Sequence, residues 1–287
     1  MRLGSRSLGP RRVMNLPLRI ATDSRPVTNR LEWVRQGELD GLLRFGDTRV
    51  HVCLPDAMAA TPTSPNDFLL LKVPDMIDAM AGIVEDIHPK FVLELGIFKG
   101  GSVVLYNEIC RPRKLVAIDI LPDRLPDLDE YLERTGSANT VSLNFGVDQS
   151  DRDRLAALYD KEFGRHRIDL VVDDASHFFF ETRESFREFF PRLRPGGVYV
   201  IEDWGWSHWS GDTWQAAERG DYFYGRESMT NLVMELVVLS ASRPNLVQSV
   251  SVTSSAVYVT RGSEDIEPGF DLSAHCLNRG EPLPHFS

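Results

Sequence analysis

The spacing of apolar and polar positions divides this chain into three regimes. Residues 1 to about 65 show little periodicity. The exception is Leu42 to Leu54, where Val50 and Val52 alternate on one face and Gly46-Asp47 offers a turn, a hairpin pattern. The stretch AATPTSPND (59–67) is small, polar and proline-bearing and reads as a linker. Met76, Ile77, Met80, Ile83 and Ile87 then share one helical face, and Pro89 ends that helix.

From Phe91 onward strand and helix patterns alternate. Strands are expected at Phe91 to Leu95, Leu115 to Ile118, Val141 to Phe145, Ile168 to Val172 and Val198 to Ile201. Between them lie helices from the Gly-Gly-Ser at 100–102 to Ile109, around Leu125 to Leu132, from about Asp151 to Phe163, and from about Thr182 to Leu193, the last ended by Pro195-Gly196-Gly197. The alternation predicts an α/β fold built on a doubly wound, mostly parallel sheet. After residue 203 the pattern turns aromatic and aperiodic (WGWSHWSGDTWQAAERGDYFYG). A helix from about Ser228 to Ala241 follows, and then two β-rich segments, Leu246 to Thr253 and Ala256 to Thr260, form a C-terminal antiparallel hairpin. The tail from Gly262 is polar and proline-rich and reads as a loosely held arm. The expected organisation is an N-terminal cap (1–65), a main domain (66–262) with an aromatic insertion at 204–226, and a C-terminal arm (263–287).

Chemistry concentrates where two buried-strand patterns stop. Asp173-Asp174 ends IDLVVDDASH, and Glu202-Asp203 ends GVYVIEDW. Neighbouring parallel strands deliver their C-terminal residues to one sheet edge, where ligands bind. Carboxylates crowded there repel unless a cation or proton compensates. His177, three residues beyond Asp174, adds a group that titrates near neutrality. An acidic metal pocket with a base beside it accounts for these residues; helix capping and solvent contact are the plainer alternative.

A second cluster follows the first strand. In VLELGIFKGGS (92–102), Gly96 permits a sharp turn, and Gly100 and Gly101 allow backbone to approach a ligand at a helix N-terminus. Glu94 would repel a pyrophosphate and welcome a cationic amino-acid moiety. Asp119 ends the next strand, where an aspartate either accepts both hydroxyls of a ribose or caps a helix.

Composition narrows the partners. With 287 residues, 42% hydrophobic and 26% charged, the chain is of ordinary globular type. A net charge of −10 and the lack of any basic stripe argue against nucleic acid. No apolar run reaches the roughly 20 residues of a membrane span, so no membrane insertion is expected. Cys53, Cys110 and Cys276 are odd in number, scattered and outside any metal spacing, consistent with reduced thiols in the cytoplasm. The basic start lacks a secretion-type apolar stretch, and Met14 is an alternative first residue.

Taken together, the Gly-Gly-Ser loop, Asp119, DDASH and IEDW resemble the class I S-adenosylmethionine-dependent methyltransferases over roughly residues 70 to 261. Phe98 replaces the middle glycine of that family's general loop. The narrower group resembled is the metal-dependent O-methyltransferases of natural-product sugars, whose pattern the cephalosporin hydroxylase-like proteins partly share. The resemblance implies a seven-stranded sheet closed by an antiparallel hairpin, with S-adenosylmethionine and magnesium, or another divalent cation, as cofactors. It implies Asp174, Glu202 and Asp203 as metal ligands and His177 as general base. Cofactor contacts would come from Glu94, Gly96, Gly100, Ser102 and Asp119, from Asp148 and Gln149 in GVDQSD, and from Asp173, which could face the cofactor's methionine part. Asp151 better suits capping the next helix.

The expected acceptor is a hydroxyl of a small-molecule glycoside or saccharide. The aromatic insertion is either a lid that stacks on it or an ordinary packed loop or subunit contact, and His208 within it either supplements the base or lies at the surface. A homo-oligomer is expected. An oxygenase component and a cofactor-binding partner without turnover are the rival readings; the first lacks the histidines that iron prefers.

Overall fold

The computed structural model describes residues 31–215 and 218–282; the alternative start at Met14 and most of the first half of the expected cap lie outside them. In chain order the strands are β1 (Glu32–Gln36), β2 (Gly41–Phe45), β3 (Thr48–Val52), β4 (Asp67–Leu70), β5 (Phe91–Leu95), β6 (Lys114–Asp119), β7 (Val141–Phe145), β8 (Ile168–Asp173), β9 (Leu193–Glu202), β10 (Val247–Val252), β11 (Ala256–Arg261) and the short pair β12 (Leu277–Asn278) and β13 (Glu281–Pro282). The helices are α1 (Pro74–Ile87), α2 (Gly101–Cys110), α3 (Pro126–Arg134), α4 (Arg152–Glu162), α5 (Phe179–Phe189), α6 (Asp212–Gln215), α7 (Thr230–Ser242) and α8 (Leu272–His275).

The main sheet has seven strands in the order β10-β11-β9-β8-β5-β6-β7. All pairings from β7 across to β9 are parallel, and β11 alone runs against its neighbours, the expected class I methyltransferase arrangement. The winding reverses between β5 and β8, which opens a crevice at their C-terminal ends. Local signals match. Pro74 starts α1, and its end is a left-handed His88 whose amide donates to the Val84 carbonyl. Asp151 caps α4 by accepting from the Arg154 amide at 3.1 Å.

Alternation along the strands sorts residues onto two faces. Leu93, Leu95, Val171, Tyr199 and Ile201 pack with α4, α5 and α7. Val92, Leu170, Val172 and Val200 pack with α1, α2 and α3 and with Leu43, Val50, Phe68 and Leu70 of a second sheet. That second sheet, in the order β1-β2-β3-β4, is mostly antiparallel and contains the Gly46-Asp47 hairpin. It extends further than the sequence pattern indicated. The apolar run ending the expected linker is β4, parallel to β3, so the smaller sheet reaches Leu70.

Two other expectations change. Pro195-Gly196-Gly197 does not end a helix but forms an irregularity inside β9, between the Ile168–Leu193 and Leu170–Val198 pairings; the preceding helix has already ended near Pro191. The described residues from 269 to 276 are not loosely held. Phe270, Leu272 and Cys276 are buried in the main core, and the Arg187 guanidinium donates to the Phe270 and Gly269 carbonyls. All three cysteines are buried free thiols. Among the described residues no helix is long and apolar enough to cross a membrane.

Candidate active site

The crevice is assembled from the turns after β5, β8 and β9. The Asp174 amide donates to the Leu95 carbonyl at 2.9 Å and ties the first two turns, and the Asp203 amide donates to the Ser255 carbonyl of the β10–β11 turn at 2.7 Å. Gly96 adopts φ +96°, and a Cβ there would stand 2.2 Å from the Asp174 carbonyl oxygen, so only glycine lets the first and second turns approach. Phe98, His177 and Asp203 are non-glycine residues with φ of +49°, +61° and +51°. Left-handed backbone at such residues is sparsely populated and gathers at functional sites, where surrounding contacts over-determine it.

Asp174, His177 and Asp203 converge. Each offers one ligand atom, and these atoms lie within 4.8 Å of one another, with all three residues half-buried. Burial, and next the charge of Asp174, push the Asp203 carboxyl above its ordinary range, while His177 opposes the rise. This is the electrostatic condition in which a divalent cation is favourable. Glu202, the third expected metal ligand, is placed differently. It is buried, and Lys72 Nζ donates both to Glu202 Oε2 and to Asp174 Oδ2, the latter at 2.7 Å. Burial raises the Glu202 carboxyl and Lys72 restrains it. On the ammonium, burial is outweighed by Asp174 and Glu202, which hold it well above the usual lysine range.

Glu94 projects from β5 toward the same face as Glu202. It is fully buried, and neither carboxylate oxygen makes a hydrogen bond. Burial lifts its acid to about 8; Ser102, also buried, and Lys72 only temper the rise. A buried acid with idle oxygens at a crevice is set for a cationic group. Gly100 is left-handed at the N-cap of α2. Gly101, expected to admit a ligand, instead admits the cap: its Cβ would lie 2.1 Å from the Leu69 carbonyl oxygen of β4.

Two sites of expected cofactor contact are already engaged within the protein. Asp119 Oδ2 accepts the amides of Ile97 and Phe98, both at 2.9 Å, and its Oδ1 accepts the Leu121 amide at 2.8 Å. The carboxylate thereby shapes the glycine turn. Asp148 accepts from the Ser150 amide and hydroxyl in its own turn. Asp173 and Gln149, two further expected cofactor contacts, bond to each other and to other protein groups. Asp173 alternates with Val172 to the opposite face from Glu94, and there it accepts from Ser185 Oγ (2.7 Å), Tyr199 Oη (3.0 Å) and Gln149 Nε2 (3.1 Å). Burial raises this acid to about 6, and the three donors hold it lower than burial alone would. Gln149 Oε1 accepts the Ser176 amide at 2.9 Å, so the pair supports the DDASH turn from below.

The aromatic insertion closes over that turn. Trp206 Nε1 donates to the His177 carbonyl at 2.8 Å, and the Tyr222 hydroxyl donates to the Ser176 carbonyl at 3.0 Å. Phe178 is the hub, with ring centroids 4.8 Å from Tyr222, 6.1 Å from Phe223 and 6.4 Å from Trp206. Tyr222 and Tyr224 stay exposed, and Tyr222 leaves aromatic surface beside the crevice. His208 turns away to pair with Thr230. Lys72 escaped the sequence reading. It follows the buried run Phe68, Leu69 and Leu70, where no alternation singles it out.

Known proteins with sequences or structures similar to this chain are methyltransferases by name. Residues 93–204, from β5 through the turn after β9, match the methyltransferase domain family. Over 132 residues the chain is 33% identical to the mycinamicin VI 2''-O-methyltransferase of Micromonospora griseorubida, covering 44% of this chain and 30% of that protein. Over 110 residues it is 34% identical to the 8-demethyl-8-alpha-L-rhamnosyl tetracenomycin-C 2'-O-methyltransferase of Streptomyces olivaceus, covering 38% of this chain and 25% of that protein. The chain thus spans between a quarter and a third of the length of these relatives, both of which are O-methyltransferases by name. Among solved structures, the MycE methyltransferase of the mycinamycin pathway, in complex with Mg and SAH, aligns with a TM-score of 0.49 at 22% identity, over 66% of this chain and 48% of that one. In its central 112 residues the chain is similar to the methyltransferase domain family.

Proposed function

We propose that this protein is an S-adenosylmethionine-dependent O-methyltransferase whose acceptor is a sugar hydroxyl of a glycosylated small molecule. One observation carries the reading: the ligand atoms of Asp174, His177 and Asp203 meet within 4.8 Å at the sheet edge, beside a buried Glu94 with idle oxygens. The named activities of the matched relatives supply the chemical class.

Each group has a task. Glu94 suits the ammonium of the cofactor's methionine part, and the Gly96 turn, held by Asp119, gives the backbone its bend. Asp174 and Asp203 are the oxygen donors for a hard divalent cation such as magnesium. Bound S-adenosylmethionine supplies an electrophilic methyl group, and bound magnesium makes a nearby hydroxyl more acidic. His177, at the same spot, takes the proton that the acceptor oxygen loses as it gains the methyl group; no covalent link to the protein is required. The exposed ring of Tyr222 offers a face for the sugar or aglycone.

The test is direct. The full chain, S-adenosylmethionine and a panel of glycosides are incubated with magnesium, then with excess EDTA, and S-adenosylhomocysteine and methyl ether are quantified by mass spectrometry. Both products should appear for at least one glycoside, vanish with EDTA and return with magnesium. Absence of S-adenosylhomocysteine across the panel removes the transferase reading, and unchanged rates in EDTA remove the metal.

A further inference from the structure

We infer that Lys72 is a built-in cation of the site: it takes Glu202 and one oxygen of Asp174, leaves Asp174, Asp203 and His177 open to the exchangeable divalent ion, and keeps that ion's affinity low. The inference rests on the proposed metal-dependent reading and deepens it.

Position makes the case first. The Lys72 side chain is 3% exposed and Glu202 4%, so neither can turn to bulk water without disturbing the core. The ammonium donates to Asp174 Oδ2 at 2.7 Å and to Glu202 Oε2, while the trio within 4.8 Å of one another is Asp174, His177 and Asp203. Asp174 is thus shared between a fixed cation on one side and the open trio on the other. The lysine is firmly delivered. It lies in the three-residue link between β4 and α1, and its amide donates to the Leu70 carbonyl at 3.1 Å. β4 itself is seated on Gly101 through Leu69.

Charge balance makes the case second. Asp174, Glu202 and Asp203 carry three negative charges when ionised, and Lys72 offsets one; Glu94, whose burial favours the neutral acid, adds none. The remainder matches one divalent ion. A lysine so placed lowers the potential felt by that ion and occupies carboxylate oxygens it would otherwise use. Removing only the lysine should strengthen ion binding. Removing the lysine and Glu202 together should leave the ion facing nearly the same field as before. A buried ion pair exchanged for neutral groups of similar volume is also well tolerated by folds.

Manganese binding to the full chain, without cofactor or acceptor, measured by isothermal titration calorimetry and by electron paramagnetic resonance, provides the test. Lys72→Met should bind manganese at least about tenfold more tightly than the unaltered chain. Lys72→Met combined with Glu202→Gln should bind within about threefold of the unaltered chain. Asp203→Asn should lose most of the binding. Equal or weaker binding by Lys72→Met overturns the inference. So does a double variant that falls as far as Asp203→Asn, because Glu202 would then be a direct ligand. Should Lys72→Met not fold, the double variant decides by the same criterion. If neither the unaltered chain nor the lysine variants bind manganese, the metal reading falls as well; if all bind equally, only the role of Lys72 is lost.

Discussion

Trp206 Nε1 donates a hydrogen bond to the backbone carbonyl of His177 at 2.8 Å, fastening the aromatic insertion to the residue proposed as the base. His177 sits at φ +61°, a conformation that needs outside support. Trp206→Phe keeps an aromatic ring in the Phe178 cluster but deletes the donor. Stability should fall by about 1 kcal/mol and turnover by about threefold to tenfold, with S-adenosylhomocysteine affinity unchanged. Turnover equal to the unaltered chain would show that the insertion does not hold the base in place.

His177 itself should be decisive for chemistry and dispensable for cofactor binding. His177→Ala is expected to lower turnover by roughly 10² to 10⁴. Calorimetric affinity for S-adenosylhomocysteine should stay within about twofold, since no cofactor contact is assigned to this ring. An active His177→Ala enzyme would remove the assignment.

Glu94 predicts a pH signature in the cofactor-free protein. Burial lifts its folded acid to about 8 from an ordinary 4.5. The folded chain therefore holds this proton more tightly than the unfolded one. Its contribution is complete below about pH 4.5 and fades as pH rises, gone once pH passes about 8. Glu94→Gln removes the titration. Its melting temperature should fall less than that of the unaltered chain from about pH 5 to about pH 8, a difference visible by calorimetry, while affinity for S-adenosylmethionine drops. Parallel melting curves across that range would contradict the buried-acid account.

Gly101 tests how the smaller sheet meets the main one. A methyl group at this position collides with the Leu69 carbonyl, which is backbone and cannot swing aside. Gly101→Ala should cost about 1–3 kcal/mol in urea unfolding. Gly82→Ala, which meets nothing within 4 Å, serves as the control. Equal midpoints for the two variants would place the smaller sheet's contact elsewhere.

Much of this architecture is readable before any coordinates. β5 and β7 fall on the expected residues because buried parallel strands are continuous apolar runs bounded by turns. The acids after β8 and β9 reach one edge because parallel neighbours share a direction. What no spacing displayed was the face that each acid takes. Strand parity sends Glu94 and Glu202 to one face and Asp173 to the other, where Ser185 and Tyr199 await it. Asp119 looked free because its partners are backbone amides, which no residue pattern displays. Lys72 was hidden by distance, since its pairing with Glu202 spans 130 positions of chain. The tail misled because its few apolar residues, Phe270, Leu272 and Cys276, are diluted by polar neighbours.

That last segment has a practical corollary. Phe270, Leu272 and Cys276 finish a hydrophobic seam also lined by Phe186 and Leu236. Trimming the gene after the final strand of the large sheet, a natural choice for anyone seeking a minimal catalytic unit, would strip that seam bare. The shortened product should collect in inclusion bodies, even though every residue assigned to catalysis would still be encoded.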